Sequence, residues 1–414
     1  MNVEEICRRA SEAGFEVQSL SSDKKNQVLQ KAAQMLTEKS AGILEANRKD
    51  EEAAAAAGMP DSMLDRLRLT QERIQGMADG LKEVAALPDP CGETLAEWDR
   101  PSGIHIRKVR VPFGVIGIIY ESRPNVTADA FAIAFKAGNA VILKGGSDAL
   151  ESNIAITDIL REALRACGVT QDALSLIASK DREDTNEFMK MRRYVDVLIP
   201  RGSAGLIRAV VENSKIPVIE TGSGNCHIYV DKDADFEKAV PIILNAKTQR
   251  TGVCNAAESL VVHEDILQSF LPILSERMKE AGVTLRADDA SRAFLPYAER
   301  ASEEDFAKEY LALMMSVKTI RSLQEAIAHI NRYHTRHSDC IITENQEAAD
   351  LFLREIDSAC VYVNASTRFT DGYEFGFGAE IGISTQKLHA RGPMGLPELT
   401  SYKYLITGNG QIRK

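Results

Sequence analysis

One cysteine of this chain lies in a context that suits nucleophilic chemistry. Cys254 stands in Gln249-Arg-Thr-Gly-Val-Cys-Asn-Ala-Ala-Glu258, which we expect to form a turn between a helix ending near Lys247 and a strand beginning near Ser259. A thiol in a polar, glycine-containing turn with Arg250 nearby can have a lowered pKa, and the thiolate is the form that attacks a carbonyl carbon. The same pattern is compatible with an inert, partly buried cysteine, and spacing alone does not separate the two interpretations.

Two junctions between a strand and a helix have the composition of phosphate-binding turns. Lys144-Gly145-Gly146-Ser147 follows the apolar run 140–143, and Ile199-Pro-Arg-Gly202-Ser203 repeats the arrangement. Glycine lets a phosphate approach the backbone, a helix N-terminus offers free N–H groups, and lysine supplies a positive charge. Two such turns suit a dinucleotide better than one does, although a plain turn explains either by itself. The chain has neither a GxGxxG nor a GxxxxGK[ST] motif.

The elements that must position these residues alternate between strands and helices. The first hundred residues are predicted to be mostly helical, with Ser21 to Asp23 capping a helical stretch that continues to Ala57. Amphipathic segments then predict helices at 126–137, 149–166 and 204–213. Apolar runs predict strands at 104–111, 114–120, 140–143, 195–199, 218–219, 260–262, 312–317, 340–342 and 361–363. This order predicts an α/β fold with two doubly wound α/β domains.

The strand predicted at 104–111 has a pattern of its own. Apolar and basic residues are mixed on both of its faces, which is poorly suited to burial within the sheet of one monomer. We therefore expect an edge strand that pairs with the equivalent hairpin, or with the 396–406 tail, of a second subunit.

Composition limits the class of protein. The chain has 414 residues, 44% of them hydrophobic, and a formal net charge of -10, so nothing attracts it broadly to nucleic acid or to an anionic membrane. Its seven cysteines are scattered and never spaced as CxxC, which favours a reducing compartment over a disulfide framework or a zinc ribbon. The acidic N-terminus does not read as a secretory signal, and no long apolar span follows. We expect a cytoplasmic protein.

The order of these motifs resembles that of the aldehyde dehydrogenase superfamily over almost the whole chain. Six motifs in one order are a specific signal, whereas each alone is weak. The matching segments are Gly114–Tyr120 followed by Arg123-Pro-Asn125, Lys144-Gly-Gly-Ser147, Gly202-Ser203, Glu220-Thr-Gly-Ser223, Cys254 and Glu374-Phe-Gly376.

The resemblance implies a role for each of these motifs. Cys254 would be the nucleophile, and Asn125 would donate to the oxyanion. The cofactor would be bound by Lys144, Gly145, Gly146, Ser147, Gly202, Ser203 and Glu374. Glu220 matches the residue that activates water in the hydrolytic members of the superfamily. If the reaction of this chain does not consume water, Glu220 can serve only in proton handling or in placing the cofactor.

A narrower resemblance points to the gamma-glutamyl phosphate reductase branch. Ala328-His-Ile-Asn-Arg-Tyr-His-Thr-Arg-His-Ser-Asp339 is similar to the signature of that branch, as are the segments 198–203 and 220–231. His334 departs from the pattern, which usually has a small residue there. His329, His337, Arg123 and Arg250 are the candidate substrate contacts. The three histidines lack a carboxylate at a recognised ligand spacing, so we expect no metal.

The branch implies NADPH-dependent reduction of L-glutamate 5-phosphate to L-glutamate 5-semialdehyde through a cysteine thioester, in proline biosynthesis. It also implies a homo-oligomer, and it makes a glutamate kinase a candidate partner that passes its product directly to this enzyme. The implied domains are a dinucleotide-binding domain (1–95 and 113–225), a catalytic domain (226–385), and an oligomerisation hairpin and tail (96–112 and 395–414). A hydrolytic NAD(P)-dependent aldehyde dehydrogenase and a catalytically silent scaffold protein remain the alternatives. The sequence leaves the preference for NADP over NAD open, because Lys144 suits either nucleotide.

Overall fold

The structure, a computed structural model, describes residues 2–121 and 123–413. Its helices are α1 (Val3–Val17), α2 (Ser22–Glu38), α3 (Ser40–Ala56), α4 (Asp61–Leu67), α5 (Gln71–Ala86), α6 (Val126–Lys136), α7 (Leu150–Ala166), α8 (Arg182–Phe188), α9 (Ala204–Asn213), α10 (Phe236–Thr248), α11 (Leu267–Glu280), α12 (Asp289–Arg292), α13 (Leu323–Tyr333) and α14 (Gln346–Glu355). Its strands are β1 (Thr94–Asp99), β2 (His105–Pro112), β3 (Val115–Tyr120), β4 (Ala140–Lys144), β5 (Leu174–Leu176), β6 (Val197–Arg201), β7 (Cys226–Val230), β8 (Ala257–His263), β9 (Thr284–Ala287), β10 (Glu299–Arg300), β11 (Met314–Ile320), β12 (Ser338–Ile342), β13 (Cys360–Val363), β14 (Ile383–Ser384), β15 (Gly392–Pro393) and β16 (Thr400–Thr407). No helix in the described part of the chain is long and apolar enough to span a membrane.

The chain divides into two compact units. The first unit contains Met1–Glu220, Gly376–Gly382 and Met394–Lys414, and the second contains Thr221–Phe375 and Ile383–Pro393. Each unit has a parallel sheet with helices between its strands, so the predicted α/β class is confirmed.

The first unit is built on a parallel sheet with the strand order β5-β4-β3-β6. Every residue of β3 and β4 is buried, as expected for parallel strands that are covered on both faces. Because parallel strands end at the same edge, the residues that follow β3, β4 and β6 are neighbours in space. These residues include Glu121, the turn that begins at Lys144, and Gly202-Ser203.

A second, antiparallel sheet of the first unit corrects one prediction. Its order is β1-β2-β16, and β16 pairs with β2 from Thr400↔Pro112 to Thr407↔His105. The predicted edge strand is therefore the central strand of its sheet. The prediction that β2 needs a second subunit was wrong, because the chain's own C-terminal segment supplies its second partner.

The second unit contains a seven-stranded parallel sheet with the order β10-β9-β11-β8-β7-β12-β13. In the adjacent pair β7 and β8, Cys226 lies opposite Ala257. The residues immediately before these two strands therefore lie side by side. On the other side of β7, β12 brings Asp339 opposite His227.

Two further predictions need correction. The strand predicted at 218–219 is reduced to a single bridge between Val218 and Leu198. Pro217 precedes that bridge and lacks the N–H group that a longer ladder requires. The helical stretch predicted up to Ala57 is two helices, because Lys39 leaves helical geometry between α2 and α3.

Candidate active site

The loop 249–256 joins α10 to β8 and carries Cys254. At its two ends the fully buried side chains of Lys247 and Glu258 form an ion pair, with 2.6 Å between Nζ and Oε2. Lys247 Nζ also donates to the Ala257 carbonyl oxygen at 2.9 Å. Burial raises the pKa of Glu258 to about 7 and lowers the pKa of Lys247. Separating the loop ends would leave a buried charge without its partner, so the pair holds them together.

The peptide group of Cys254 packs against the segment that enters β7. Cys226 Sγ donates to the Cys254 carbonyl oxygen at 3.2 Å. A Cβ placed on Gly224 would lie 1.4 Å from the same oxygen, so no side chain fits at that position. The Gly224 N–H donates to Glu309 Oε1 at 2.6 Å, which holds the glycine in place. The position of the Cys254 peptide is thus determined by two residues about thirty positions earlier in the chain.

The environments of the cysteines differ. Burial raises the pKa of Cys7 and Cys340 to about 12 and that of Cys91 to about 11, and it raises the pKa of Cys226 well above its ordinary value. These four thiols are therefore protonated at neutral pH, which makes them poor nucleophiles. Cys254 is only half-buried, in its loop.

A cation that sequence reasoning missed contacts the same loop. Arg368 follows β13 in the short 3₁₀ turn Thr367–Phe369, and its Nε donates to Gln249 Oε1 at 2.8 Å. The residue after the candidate nucleophile joins the same turn from the other side. Asn255 Nδ2 donates to the Thr370 carbonyl oxygen at 2.8 Å, and Thr367 Oγ1 donates to the Asn255 carbonyl oxygen at 2.8 Å. A basic residue just beyond the carboxyl end of a parallel strand was the signal that could have identified Arg368.

The histidine-rich segment surrounds a buried carboxylate. Asp339 is fully buried, and its Oδ2 lies 2.7 Å from His334 Nδ1 and accepts a hydrogen bond from Ser358 Oγ. Its Oδ1 accepts from the His227 backbone N–H at 2.8 Å and lies 3.3 Å from the His227 ring nitrogen Nδ1. The pKa of Asp339 lies well below its ordinary value, because these hydrogen bonds and the two histidines outweigh burial, which acts in the opposite direction. His334, the residue that departs from the branch pattern, is thus a hydrogen-bonded member of this cluster.

The two histidines predicted to contact substrate are packed among other side chains. His337 is fully buried, and burial lowers its pKa to about 4. His337 Nδ1 lies 2.9 Å from Ser338 Oγ. His329 packs against the rings of Phe306 and Tyr333, and its pKa is lowered to about 3, mainly by burial. Among residues 2–121 and 123–413, no group of three or more His, Cys, Asp or Glu side chains is arranged to hold a metal ion.

The two predicted glutamates lie at the ends of the segment Thr221–Phe375: Glu220 directly precedes it and Glu374 is its next-to-last residue. Glu374 is exposed, and its backbone N–H donates to Asp371 Oδ1 at 3.4 Å. Glu220 is half-buried and is the last residue of the first unit's long segment. The predicted residues that the structure brings together in the second unit are Arg250 and Cys254, which share one loop.

In the first unit, the lysine turn is closely packed. Lys144 Nζ donates to the Ser179 carbonyl oxygen at 2.7 Å, and burial lowers the pKa of the ammonium group. A Cβ on Gly145 would lie 2.2 Å from Asn153 Nδ2, so this glycine is required by the close approach of α7. The 3₁₀ turn Ser147–Ala149 comes before α7, so the helix proper begins one turn after the glycines.

A carboxylate lies at the second predicted phosphate site. Glu121 follows β3, and its Oε2 accepts from the Ser203 backbone N–H at 2.7 Å while its Oε1 accepts from Ser203 Oγ at 3.1 Å. A Cβ on Gly202 would come within 2.4 Å of Glu121 Oε2. The first turn of α9 therefore already binds an anionic group through one backbone and one side-chain donor. Sequence reasoning missed Glu121.

The predicted oxyanion donor is oriented by its own helix. Asn125 is the residue before α6, and its Nδ2 donates to Asp129 Oδ2 at 3.1 Å, one turn further along. Asp129 is half-buried, and desolvation raises its pKa to about 6. An amide nitrogen carries two hydrogens, so the second N–H of Asn125 has a defined direction. Arg123 lies two residues earlier, in the turn that enters α6.

Comparison with known proteins identifies the relatives of this chain. The aldehyde dehydrogenase family model matches residues 1–310. The chain is 57% identical to the gamma-glutamyl phosphate reductase of Agathobacter rectalis, with 100% of both chains covered. It is 55% identical to the gamma-glutamyl phosphate reductase of Moorella thermoacetica, over 98% of this chain and 97% of the other. The crystal structure of gamma-glutamyl phosphate reductase from Thermotoga maritima matches with a TM-score of 0.98 at 48% identity, with 100% of each chain covered.

Proposed function

We propose the function of this chain from one premise: it belongs to the aldehyde dehydrogenase family and, within it, to the gamma-glutamyl phosphate reductases. The chain is an oxidoreductase that reduces L-glutamate 5-phosphate to L-glutamate 5-semialdehyde and phosphate, a step of proline biosynthesis. The observation that carries this conclusion is identity above half over the full length of relatives with that name. The resemblance predicted from the motifs is confirmed.

The thiol of Cys254 is the proposed nucleophile. Its sulfur forms a bond to the acyl carbon, the bond from that carbon to the phosphate oxygen breaks, and the proton of the thiol finishes on the departing hydrogen phosphate. A thioester on Cys254 remains. Asn125 and the Cys254 backbone N–H are the proposed donors to the oxyanion, each such donor typically contributing about 3 kcal/mol. When the thioester has been reduced to a thiohemiacetal, its collapse returns the sulfur of Cys254 to the thiol and releases the aldehyde.

Family membership supports a nicotinamide dinucleotide as cofactor, and we propose NADPH. When bound, the cofactor supplies the hydride that reduces the thioester. The carboxylate of Glu121 at the start of α9 supports a phosphate site there, because the donors at Ser203 already hold an anion. Lys144, with Gly145, Gly146 and Ser147, is proposed to bind the adenosine ribose or its 2′-phosphate, Gly202-Ser203 the pyrophosphate, and Glu374 the nicotinamide ribose.

Two substitutions test this assignment of the cofactor site. Lys144→Ala should weaken NADPH binding more than NADH binding if the lysine contacts the 2′-phosphate. Glu121→Gln should tighten binding of both nucleotides about threefold, because it removes the carboxylate that competes for Ser203. Calorimetric titration measures both effects, and weaker binding by the Glu121 variant would remove the first turn of α9 from the pyrophosphate site.

The reverse reaction tests the whole proposal. Wild-type protein is mixed with NADP and a panel of semialdehydes, with and without inorganic phosphate, and NADPH formation is followed by absorbance. We expect reduction of NADP that requires phosphate and is fastest with L-glutamate 5-semialdehyde. NADP reduction that proceeds equally well without phosphate would assign the chain to hydrolytic aldehyde oxidation instead. Cys254→Ala is the matched inactive control.

A homo-oligomer is also proposed, through the three-stranded sheet β1-β2-β16. Among the described residues no strand pairs with the outer edge of β1 or of β16. Trp98 on β1, and Tyr402, Tyr404 and Ile406 on β16, are exposed. Such open edges and apolar side chains favour a second copy as partner. Light scattering at micromolar concentration should give more than one subunit. A cytoplasmic location, Glu220 in proton handling and substrate transfer from a glutamate kinase remain proposals from the family alone.

A further inference from the structure

Two arginines are placed on or against the loop that carries Cys254. Arg250 lies four residues before the cysteine, and Arg368 reaches the loop through its bond to Gln249. In the part of the chain that the structure describes, neither arginine forms an ion pair. Asp371, the nearest acidic residue in sequence to Arg368, acts on that arginine through its charge without forming an ion pair, and its Oδ1 accepts from the backbone N–H groups of Tyr373 and Glu374.

The charges around the loop act on one another, as expected from the hydrogen bond between Arg368 and Gln249, the neighbour of Arg250. The pKa of Arg368 is lowered, first by burial and next by the positive charge of Arg250, while the carboxylate of Asp371 and then the sulfurs of Cys254 and Cys226 act in the opposite direction. Two guanidinium groups and one carboxylate leave a net positive charge beside the thiol. An anion bound between the two guanidinium groups would offset that charge, and guanidinium matches the geometry of phosphate oxygens.

We propose that Arg368, together with Arg250, binds the phosphoryl group of the acyl phosphate beside Cys254 and holds it as it leaves. This inference rests on the function proposed above. The hydrogen bonds of Arg368 to Gln249, and of Asn255 to the turn that carries Arg368, fix the guanidinium on the nucleophile's loop. The electron pair of the broken carbon–oxygen bond passes to the phosphate, so the positive charge stands where negative charge develops.

The chemistry of the substrate selects the phosphate over the carboxylate. The phosphorus is two bonds from the carbon that the sulfur attacks, whereas the carbon of the α-carboxylate is four bonds away on the other side. A group held next to the sulfur is therefore the phosphoryl group. Its two negative charges also match two arginines, whereas one carboxylate needs only one.

The reverse reaction separates the two anions, because phosphate and semialdehyde are then different molecules. We expect Arg368→Met and Arg250→Met each to raise the KM for inorganic phosphate at least tenfold, with the KM for semialdehyde unchanged within twofold. Arg368→Lys should fall between the wild type and Arg368→Met. Arg277→Met is the matched control, since Arg277 is exposed on α11 and its Nε lies 3.6 Å from Glu280 Oε2.

A thiol-protection experiment, which needs no turnover, tests the anion site independently of the proposed function. Inorganic phosphate should protect the Cys254 thiol of the wild type against iodoacetamide, and this protection should be lost in Arg368→Met and Arg250→Met. If the wild type shows no phosphate-dependent activity but the protection pattern holds, the proposed function fails and the anion site stands. If phosphate KM and protection are unchanged in both methionine variants, or only the semialdehyde KM rises, the phosphate assignment is overturned.

Discussion

Replacing Gly224 with alanine should nearly abolish turnover while the protein stays folded. The new Cβ would lie 1.4 Å from the Cys254 carbonyl oxygen, whereas real contacts of this kind are not closer than 3.0 Å. The Cys254 peptide must therefore move by about 1.6 Å, the difference between the two distances. That displacement also breaks the bond that Cys226 Sγ donates to the same oxygen.

The magnitude follows from the sensitivity of catalysis to position. Misplacing a reacting group by about 1 Å can cost roughly 100-fold in rate, so we expect at least that loss in kcat. The free energy of unfolding should fall by about 1 to 3 kcal/mol, the usual range for overpacking. Binding of NADPH should stay within twofold of the wild type, because the proposed cofactor residues lie in other segments.

The assay is NADPH formation in the phosphate-dependent reverse reaction, with urea unfolding and calorimetric NADPH binding on the same preparations. Gly42→Ala is the control, because Gly42 lies in α3 with nothing within 4 Å of the new Cβ. Alanine there should leave activity unchanged and stabilise the helix by about 0.5 to 1 kcal/mol. If Gly224→Ala keeps more than half of the wild-type kcat, the contact with Cys254 does not determine the position of the nucleophile.

Three further sets of substitutions test the surroundings of the candidate nucleophile. Cys254→Ala should abolish turnover while NADPH binding is retained. Cys226→Ala removes a buried thiol with a raised pKa and should keep at least a tenth of the activity. Equal losses in the two variants would reopen the choice of nucleophile. Lys247→Met should lower the free energy of unfolding, measured by urea titration, by about 3 to 5 kcal/mol, because Glu258 is left buried without its partner. The double variant Lys247→Met with Glu258→Leu should recover most of that loss. No recovery would argue against the ion pair. The pKa of His337 is lowered to about 4, so its contribution to folding stability is fully present above the unfolded pKa near 6.5 and is lost, by up to about 3 kcal/mol, as pH falls towards 4. The urea midpoint should therefore fall less steeply between pH 7.5 and pH 5 in His337→Gln than in the wild type. An identical slope in the two proteins would refute the assignment.

The sequence by itself determined the elements whose pattern is local. The runs at 114–120 and 140–143 correspond to β3 and β4, and the helix predicted at 204–213 is α9 with the same bounds. The apolar periodicity of these segments reports burial on one or both faces, which a strand or helix must satisfy wherever it packs. The order of the six motifs was also sufficient to identify the family, because motif order does not depend on knowing the contacts.

Only the tertiary structure decided what surrounds the candidate groups. Asn255 and Arg368 are 113 residues apart and meet because β8 and β13 belong to one sheet whose order the sequence does not state. Gly224 is required by the peptide of Cys254, which no local pattern reveals. Likewise β2 lost its predicted role as an edge strand because β16, at the far end of the chain, pairs with it. Hydrophobic patterning specifies which face of an element is buried, whereas the partner of that face depends on strand order and register.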